Sequence, residues 1–523
     1  MTELTRLGAL EMSARLRAGE VSSRELIEAH LDGAEAGNHA LNAWLSIDRE
    51  SAVAQADAAD RRLGAVRDGA ADAHPLLGVP VALKDLVSVK GGQVTAGSRI
   101  LEGYRAPYDA HITERLRSVG AVILGKTNMD EFAMGSSNEH SAYGPVANPW
   151  DLETVPGGSS GGSAVAVAAY HAPLSIGTDT GGSIRQPAAL TGIVGMKPTY
   201  GRVSRYGIVA FASSLDQIGP FARDASDAAA LLHAVAGRDE RDSTSASVPV
   251  PDELLSLPVS NDEAAAGLRG KRLGLPKEYF VAGMEPDSRR RIEESVAALE
   301  SAGAIVEEVS LPHTDYGLAT YYIVAPAEAS ANLARYDGVR FGPRLGDSDV
   351  YRNYLATRGR GFGPEVKRRI MLGTYALSAG YYDAFYVKAQ KVRTLIKRDF
   401  DLLFAAGFDA LVAPTSPTVA FRFGAKMADP VAMYLSDACT LPVNMAGLPG
   451  VSIPCGLSEG MPVGLQLIGP AWSELELFRL ARGFEALTAT APWRGQEPTQ
   501  LGLSTDASQP TPGDRAAALA AAR

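Results

Sequence analysis

The chain has 523 residues, of which 46% are hydrophobic and 7% aromatic, with 54 glycines and 31 prolines. This length predicts a sizeable core in one large domain or two fused units, and the composition is more typical of a loop-rich α/β enzyme than of a helical bundle. Lys and Arg number 50 against 60 Asp and Glu, so the net charge of -10 argues against a surface that coats nucleic acid throughout. Basic clusters at residues 289–291 and 367–369 are interpreted as solvated helix faces.

The cysteine content and the N-terminus indicate where such a chain works. Cys439 and Cys455 are the two cysteines of the sequence, too few for a disulfide framework or a structural zinc site. We therefore expect a reducing cytoplasm and no bound metal. Glu3, Arg6 and Glu11 interrupt the apolar residues of the N-terminus, which is unlike a signal peptide or a membrane anchor. No apolar stretch approaches 18 residues without charge or glycine breaks, so a role at a membrane is not expected.

Apolar spacing changes near residue 76. Residues 1–75 have helical periodicity and predict an N-terminal helical segment. Residues 76–236 contain short apolar runs that end in glycine and polar residues, which is typical of buried strands. Residues 237–270 lack periodicity and are interpreted as an exposed connection. The strands predicted in the second part lie at residues 78–83, 121–124, 174–176 and 207–211.

The second half returns to regular patterns. A strand at 271–276, a helix at 287–302 and a strand at 304–311 predict a βαβ-like unit within residues 271–496. A long helical region at 363–404 follows. Residues 497–523 contain Ser, Pro and a run of Ala, and predict a disordered tail. Further strands are predicted at 410–413, 450–454 and 463–468, and a further helix at 473–486.

Two clusters of glycine and serine are the clearest chemical signals. They lie at residues 156–163, PGGSSGGS, and at residues 179–187, DTGGSIRQP. Glycine lets backbone N–H groups converge in conformations closed to other residues, so an anion hole is the favoured interpretation. A flexible linker is the alternative, but apolar runs adjoin both clusters and argue against it.

Two other motifs match common patterns but lack the required context. Residues 120–127, GAVILGKT, match the phosphate loop of nucleotide-binding proteins, yet the four variable positions predict a buried strand where that loop needs flexible backbone. Residues 157–161, GGSSG, match the nucleophile elbow of esterases, but Pro156 stands where the preceding strand should end. No later histidine lies in a polar motif. Both interpretations are therefore rejected.

A lysine could replace histidine as the base. The run GVPVALKD places Lys84 at the end of an apolar strand that begins near Gly78. Burial disfavours the charged ammonium, so a buried lysine can be neutral and accept a proton from a serine. A lysine at a strand end is more often an exposed charge. The two glycine and serine clusters favour the catalytic interpretation here.

Together, Lys84 and the two clusters resemble the amidase signature family over residues 75–225. The resemblance implies an α/β fold with a large mixed central sheet covered by helices on both faces. It implies that Ser183 is the nucleophile, that Ser159 lies on a cis peptide and relays a proton, and that Lys84 is the terminal base. The other positions that it implies are the oxyanion hole, formed by the N–H groups of Thr180, Gly181, Gly182 and Ser183, and the supporting pair Asp179 and Arg185.

Three further segments are most similar to one branch of that family, the A subunits of the aspartyl/glutamyl-tRNA amidotransferases. They lie at residues 195–219, 361–391 and 434–451. The resemblance implies a heterotrimer in which this chain hydrolyses glutamine without a cofactor of its own. A B subunit would use ATP and Mg to amidate Glu-tRNA(Gln) or Asp-tRNA(Asn), and would make most of the contacts to the charged tRNA. A small C subunit would hold the pair together.

By motif position, the branch also implies a glutamine pocket. Arg369, with Arg368 as the alternative, would bind the α-carboxylate, and Asp437 would bind the α-ammonium. Tyr321 or Tyr322 would line the pocket. Two other functions were weighed: a free-standing amidase acting on small aliphatic or aryl amides, which needs no such charged pair, and a non-catalytic scaffold. The filled triad positions argue against the scaffold.

Overall fold

A computed structural model describes residues 2–70, 73–346, 349–499, 501 and 510–521. These residues form eleven strands and eighteen α-helices. The strands are β1 (Trp44–Ile47), β2 (Pro80–Lys84), β3 (Val122–Thr127), β4 (Leu174–Asp179), β5 (Val194–Lys197), β6 (Gln217–Ala222), β7 (Arg272–Pro276), β8 (Ile305–Val309), β9 (Ala410–Pro414), β10 (Gly450–Ser458) and β11 (Met461–Ile468). They belong to one mixed sheet in the order β1-β3-β2-β4-β6-β5-β10-β11-β9-β7-β8.

The helices of the first half are α1 (Glu3–Arg6), α2 (Ala9–Ala18), α3 (Ser23–Leu41), α4 (Arg49–Arg67), α5 (His111–Val119), α6 (Gly161–Ala168), α7 (Arg185–Thr191), α8 (Ala225–Val235) and α9 (Asn261–Ala266). Those of the second half are α10 (Pro286–Ser301), α11 (Gly317–Asn332), α12 (Val350–Gly361), α13 (Pro364–Ala376), α14 (Lys388–Ala405), α15 (Pro430–Tyr434), α16 (Leu441–Ala446), α17 (Glu474–Leu487) and α18 (Pro512–Ala521). Within the described ranges, each helix is too short or too polar to cross a lipid bilayer.

Helices cover both faces of the sheet. Val81 and Leu83 of β2 belong to one apolar cluster, together with residues of α5 and α8. Ala82 between them belongs to a second cluster, with residues of α3, α4 and α6. Because successive side chains of a strand point to opposite faces, the two clusters lie on opposite sides. The predicted α/β fold, with a large mixed sheet covered on both faces, is confirmed.

Most predicted strands are present, but one is wrong, and the strands β1, β5 and β6 were not predicted. Residues 207–211 form no strand; their sheet-like contact is a single bridge between Ile208 and Val87. The strand of this region is β6, ten residues further on, which pairs with β4 and β5. The predicted βαβ unit is present, since β7 and β8 are parallel neighbours joined through α10. Residues 122–127 form β3, in keeping with the rejection of a phosphate loop there.

Three segments are more ordered than the sequence predicted. The N-terminal helical segment also contains β1, which pairs with β3. Residues 237–270 are not exposed throughout, because Leu254, Leu257 and Leu268 are buried and α9 packs on α17. In the predicted disordered tail, α18 is a helix, and Arg515 donates a hydrogen bond to the carbonyl of Ala40. Residues 500, 502–509 and 522–523 of the tail lie outside the described residues.

The long helical region predicted at residues 363–404 consists of α13, a π-helix at Tyr382–Val387 and α14. Helix α13 packs closely on α11. A Cβ atom at Gly373 would lie 1.9 Å from the carbonyl oxygen of Pro326 in α11, so glycine is required for this approach. The close packing fixes the position of α13, which carries Arg369 on its buried face.

We predict that Gly373→Ala destabilises the protein by about 1–3 kcal/mol, because α13 must move away from α11 to admit the methyl group. Gly359→Ala is the matched control. Gly359 lies in α12 with no atom within 4 Å of an added Cβ, so alanine there should leave stability unchanged or raise it by up to about 1 kcal/mol. Thermal unfolding monitored by circular dichroism measures both. Equal midpoints for the two variants would contradict the close packing.

Candidate active site

Lys84 ends β2, a central strand that pairs in parallel with β3 and β4. Its side chain is fully buried and its Nζ contacts three hydroxyl groups. The distances are 2.8 Å to Ser159 Oγ, 2.7 Å to Ser160 Oγ and 2.9 Å to Thr178 Oγ1. No carboxylate of the described chain hydrogen-bonds to this amine. Lys84 therefore lies among neutral partners, where a neutral amine is stable.

The hydrogen bonds of Ser160 limit how this amine can be arranged. The Ser160 hydroxyl donates its one proton to the carbonyl of Thr178 at 3.0 Å. It must then accept from Lys84, which uses one N–H of the amine. A neutral amine has two N–H groups and one lone pair. When Thr178 accepts the second N–H, the lone pair faces Ser159, as a base for that hydroxyl requires.

The electrostatics of the site favour the neutral amine. Burial lowers the pKa of Lys84 to about 7, against the attraction of the more distant Asp130, Asp179 and Asp216. The neighbouring Asp85 forms no ion pair with Lys84. Asp85 instead forms a buried ion pair with Lys126, with 3.1 Å between Oδ1 and Nζ. The acid next to Lys84 in sequence is thus committed to a different lysine.

Ser159 is held by an unusual backbone. The peptide bond between Gly158 and Ser159 is cis. The N–H of Gly158 donates to Gln186 Oε1 at 3.0 Å, and the carbonyl of Ser159 accepts from the N–H of Asp130 at 3.2 Å. A Cβ atom at Gly158 would lie 2.1 Å from an oxygen of Asp130, so glycine is needed here. These contacts fix the Ser159 hydroxyl against Lys84.

Residues 180–183 form a loop between β4 and α7. Ser183 is 7% exposed, whereas Ser159 and Lys84 are 0% exposed, so Ser183 is the most accessible of the three residues predicted to form the triad. Within the described chain, the N–H groups of Gly181, Gly182 and Ser183 donate to no acceptor, and no hydrogen bond joins Ser183 to Ser159. The free N–H groups are available to an oxyanion. Gly182 has φ of 143°, which favours glycine.

A buried ion pair supports this loop from behind. Arg185 donates to Asp179 in a bidentate arrangement, at 2.9 Å from Nε and 3.1 Å from Nη2. Burial would raise the pKa of Asp179, but the Arg185 guanidinium outweighs it and lowers that pKa to about 2. The remaining donors of Arg185 reach Gln466 Oε1, Asn444 Oδ1 and the carbonyl of Thr440. Both charges are therefore fully satisfied.

Asp437 lies on a turn next to the loop. Its Oδ2 accepts a hydrogen bond from Ser136, whereas its Oδ1 is buried without a partner. Burial raises the pKa of Asp437 to about 7, although Ser136 and Arg369 favour the charged form. The turn is tied to the loop by Thr440, whose hydroxyl donates to the carbonyl of Gly181 at 2.6 Å and whose N–H donates to the carbonyl of Asp437 at 2.9 Å. The free oxygen suits a cationic group.

Arg369 lies on the buried face of α13. Its Nε donates to Glu365 at 2.8 Å, and its guanidinium lies 5.2 Å from the ring centre of Tyr322 and 5.3 Å from that of Tyr434. Arg368, the alternative, has a side chain that is 44% exposed and pairs with Glu365 from outside. Because Arg368 lies on the surface and Arg369 is buried, Arg369 is the better candidate for the predicted carboxylate ligand. Among the predicted tyrosines, Tyr321 approaches Gly181, since a Cβ atom there would lie 2.8 Å from its ring.

Sequence reasoning missed several residues that complete the site. Ser160 and Thr178 contact Lys84, Ser136 contacts Asp437, and Gln186 holds Gly158. Ser160 and Gln186 lie inside the two glycine and serine clusters, so their proximity to the triad was a usable signal. Thr178 directly precedes the second cluster. No local sequence pattern marked Ser136, because its partner Asp437 lies 301 residues away in the sequence.

Known proteins are similar to this chain over most of its length. The amidase family model matches residues 25–478 of this chain. The A subunit of the glutamyl-tRNA(Gln) amidotransferase of Moorella thermoacetica is 56% identical over 486 residues, covering 93% of this chain and 97% of that relative. The protein of the same name from Chloroflexus aurantiacus is 55% identical over 498 residues, covering 95% of this chain and 99% of that relative.

Solved structures give the same picture of the fold. The crystal structure of the A subunit of glutamyl-tRNA(Gln) amidotransferase from Thermotoga maritima has a TM-score of 0.75 and 40% identity, covering 93% of this chain and 95% of that chain. The native peptide amidase from Stenotrophomonas maltophilia has a TM-score of 0.78 and 35% identity, covering 94% of this chain and 98% of that chain. The fold is therefore common to an amidotransferase subunit and a peptide amidase. Sequence identity is higher to the amidotransferase A subunits, at 55–56%, than to the peptide amidase, at 35%.

Proposed function

Because the chain belongs to the amidase family, we propose that it hydrolyses the side-chain amide of glutamine and is the ammonia-producing subunit of a tRNA-dependent amidotransferase. The observation that carries the chemistry is the contact between buried Lys84 and Ser159. Identity above one half to relatives named as the A subunit of such an amidotransferase supports this function over that of a free-standing amidase.

The first step is attack by Ser183. Glutamine binds with its side-chain carbonyl facing the Ser183 hydroxyl, which is the exposed member of the triad. Neutral Lys84 draws a proton from Ser159, and Ser159 draws one from Ser183, so that the Ser183 oxygen forms a bond to the amide carbon. The charge that develops on the carbonyl oxygen is stabilised by the free N–H groups of the loop, with Thr180 at its start. Loss of one such donor typically costs about 3 kcal/mol.

The second step releases ammonia and restores the enzyme. The protonated Lys84 returns its proton through Ser159 to the departing nitrogen, and the carbon–nitrogen bond breaks. Water then attacks the glutamyl ester, with Ser159 and Lys84 again removing a proton. The Ser183 oxygen leaves and is protonated by the same route. Each proton thus moves along one chain of hydroxyl and amine groups, and the Asp179–Arg185 pair keeps the loop in place without touching the substrate.

The charged residues of the pocket support glutamine as substrate. A free amino acid presents an α-ammonium and an α-carboxylate, and burying either requires an opposite charge. The unpartnered Oδ1 of Asp437 is available for the ammonium. Arg369 uses its Nε on Glu365, and its two Nη groups remain for the carboxylate. Tyr321 lines the space between them and the loop. A small neutral amide would leave both charges unused.

The released ammonia serves partner subunits in this proposal. A B subunit with ATP and Mg would amidate Glu-tRNA(Gln), Asp-tRNA(Asn) or both, holding most of the charged tRNA, and a C subunit would complete a heterotrimer. The present chain needs no cofactor for its half of the reaction. We place the complex in the cytoplasm, where the thiols of Cys439 and Cys455, both free and buried, remain reduced.

We predict that Ser183→Ala lowers glutamine hydrolysis by roughly 10³-fold or more, because the nucleophile is lost. In the assembled complex, the same variant should still amidate the charged tRNA when ammonium chloride replaces glutamine. The measurement is transamidation with each nitrogen donor in parallel. Retained activity with glutamine would remove Ser183 from the mechanism, and loss of activity with both donors would point to a structural defect.

We predict that kcat for glutamine hydrolysis increases about tenfold per pH unit below pH 7 and levels off above it, since only neutral Lys84 accepts a proton. The midpoint should lie near the lowered pKa of Lys84, about 7. Lys84→Ala should abolish the dependence together with most of the activity. Initial rates from pH 5.5 to 8.5 test this, with circular dichroism as the control for folding. A flat profile in the wild type would contradict a lysine base.

We predict that Asp437→Asn raises KM for glutamine by about 10²-fold, since a buried ammonium loses its opposite charge. The control is glutaramate, which has the same amide and carboxylate but lacks the α-ammonium. Its KM should stay within about threefold of the wild-type value. Steady-state ammonia release with both substrates gives the comparison. An equal rise for both substrates would show that Asp437 shapes the pocket without recognising the ammonium.

A further inference from the structure

Asp216 is a buried carboxylate that the proposed mechanism does not use. It lies directly before β6 and is 3% exposed. Its Oδ1 accepts a hydrogen bond from the hydroxyl of Thr180 at 2.7 Å. Its Oδ2 accepts from the N–H of Phe211 at 2.9 Å, and the N–H of Ala212 lies 3.1 Å from both oxygens. Three donors thus converge on one carboxylate, and one of them belongs to residues 180–183, which we call the oxyanion loop.

The register of the sheet brings Thr180 and Asp216 together. Strands β4 and β6 are antiparallel, and Asp179 lies opposite Gln217. Thr180 follows Asp179, and Asp216 precedes Gln217, so the chain leaves β4 beside the point at which it enters β6. Both side chains are buried, and a hydrogen bond away from water is stronger than one at the surface. This bond ties the start of the oxyanion loop to the segment before β6.

That segment, residues 211–216, is itself held by two helices. Ser214 donates to Glu328 of α11 through its N–H at 2.8 Å and through its hydroxyl at 2.6 Å. Arg393 of α14 donates to the carbonyl of Ser214 at 2.9 Å. Asp216 is therefore held in place from the helices, and the oxyanion loop is positioned against it.

The contact with Asp216 acts on the N–H groups of the loop. The carbonyl of Thr180 and the N–H of Gly181 belong to one rigid peptide plane, so anchoring the Thr180 side chain restricts the orientation of that N–H. The next peptide plane, between Gly181 and Gly182, is held at its carbonyl by Thr440. Each plane thus has a side-chain anchor. An oxyanion hole requires such anchors, because its donors must be oriented before the charge develops.

We propose that Asp216 is a positioning residue for amide hydrolysis. It holds Thr180 and thereby orients the first N–H groups of the oxyanion loop toward the carbonyl oxygen of the substrate. Asp216 does not contact the substrate, and it does not act as a base, because donors already occupy both of its oxygens. This role depends on the proposed function, since that function gives the loop an oxyanion to stabilise.

The alternative is a structural carboxylate that only folds residues 211–216 through Phe211 and Ala212. Thr180→Val separates the two roles, because valine has nearly the shape of threonine but no hydroxyl. This variant removes the contact with the oxyanion loop and leaves the N–H groups of Phe211 and Ala212 with their acceptor. Asp216→Asn disturbs both sets of contacts, so it cannot separate the roles alone.

We expect Thr180→Val to lower kcat for glutamine hydrolysis in the assembled complex by roughly 10- to 100-fold, with KM within about threefold of the wild-type value, because the loop acts on the transition state. Thr180→Ser, which restores a hydroxyl, should recover most of that loss. Thr357→Val is the matched control. Thr357 is fully buried in α12, and its hydroxyl donates to the carbonyl of Pro343 at 2.8 Å. This variant loses a similar hydrogen bond, so its melting temperature should fall while kcat stays at the wild-type value.

A double-mutant cycle shows whether Thr180 and Asp216 act through one contact. Asp216→Asn should lower kcat at least as far as Thr180→Val does. The double variant should lie within about threefold of Asp216→Asn alone, because both substitutions remove the same hydrogen bond. Three results would overturn the positioning role: a wild-type kcat for Thr180→Val, independent losses that multiply in the double variant, or an equal fall in kcat for Thr357→Val.

Reaction of Ser183 with an alkyl fluorophosphonate separates this role from the glutaminase function. The serine oxygen forms a bond to phosphorus, the phosphorus–fluorine bond breaks, fluoride leaves, and the serine proton passes to Ser159. The phosphoryl oxygen needs the N–H groups of the loop, whereas no glutamine pocket is required. Mass spectrometry of the isolated full chain gives the rate of labelling.

We expect Thr180→Val to be labelled about tenfold more slowly than the wild type, as one misplaced oxyanion donor predicts. That result would support the positioning role even if the wild type released no ammonia from glutamine, which is the outcome that would end the proposed function. Equal labelling rates for the wild type and Thr180→Val would overturn the positioning role and leave the glutaminase function standing.

Discussion

The buried ion pair of Asp179 and Arg185 is the interaction on which the site depends. It joins the end of β4 to the start of α7, and the residues between the two partners are the oxyanion loop and Ser183. Removing one partner of such a pair typically costs about 3–5 kcal/mol, since the other charge remains buried. The remaining hydrogen bonds of Arg185 go to β11 and to the turn and helix that follow Asp437. One guanidinium thus fixes the Ser183 loop relative to the proposed glutamine pocket.

Three buried lysines show how surroundings give one side chain different roles. Lys126 pairs with Asp85, and Lys197 donates to the backbone carbonyls of Pro198 and Leu448. Lys84 has neither a carboxylate nor a carbonyl as partner, and its contacts are hydroxyl groups. A hydroxyl can accept from an amine or donate to it, so this environment tolerates both protonation states. The same contacts that hold the lysine are therefore compatible with the proposed proton relay.

Local sequence predicted the parts of the structure that depend on local interactions. Lys84 is the last residue of β2, and Ser183 lies in the loop after β4. Because β2 and β4 are parallel neighbours, both residues lie at the same edge of the sheet. Gln466 joins the site through a contact with Arg185 281 residues away, and no local pattern marks it. Strand β6, which was not predicted, contains Pro220, a residue type that is disfavoured in strands. Within β6, strand β5 pairs with the two residues after that proline, Phe221 and Ala222. The apolar residues 207–211 make one isolated bridge, between Ile208 and Val87, and form no strand.

The proposed catalytic groups lie between residues 84 and 183, and those proposed to recognise glutamine between 321 and 437. This separation has an evolutionary consequence. Mutations in the later segment can alter the proposed pocket while the proposed proton relay stays intact, and the fold itself is shared with a peptide amidase. Thr440 limits that freedom, because it binds both Gly181 and the Asp437 turn. Lineages that reshape the turn must keep this hydroxyl, or replace it, to retain a working nucleophile loop.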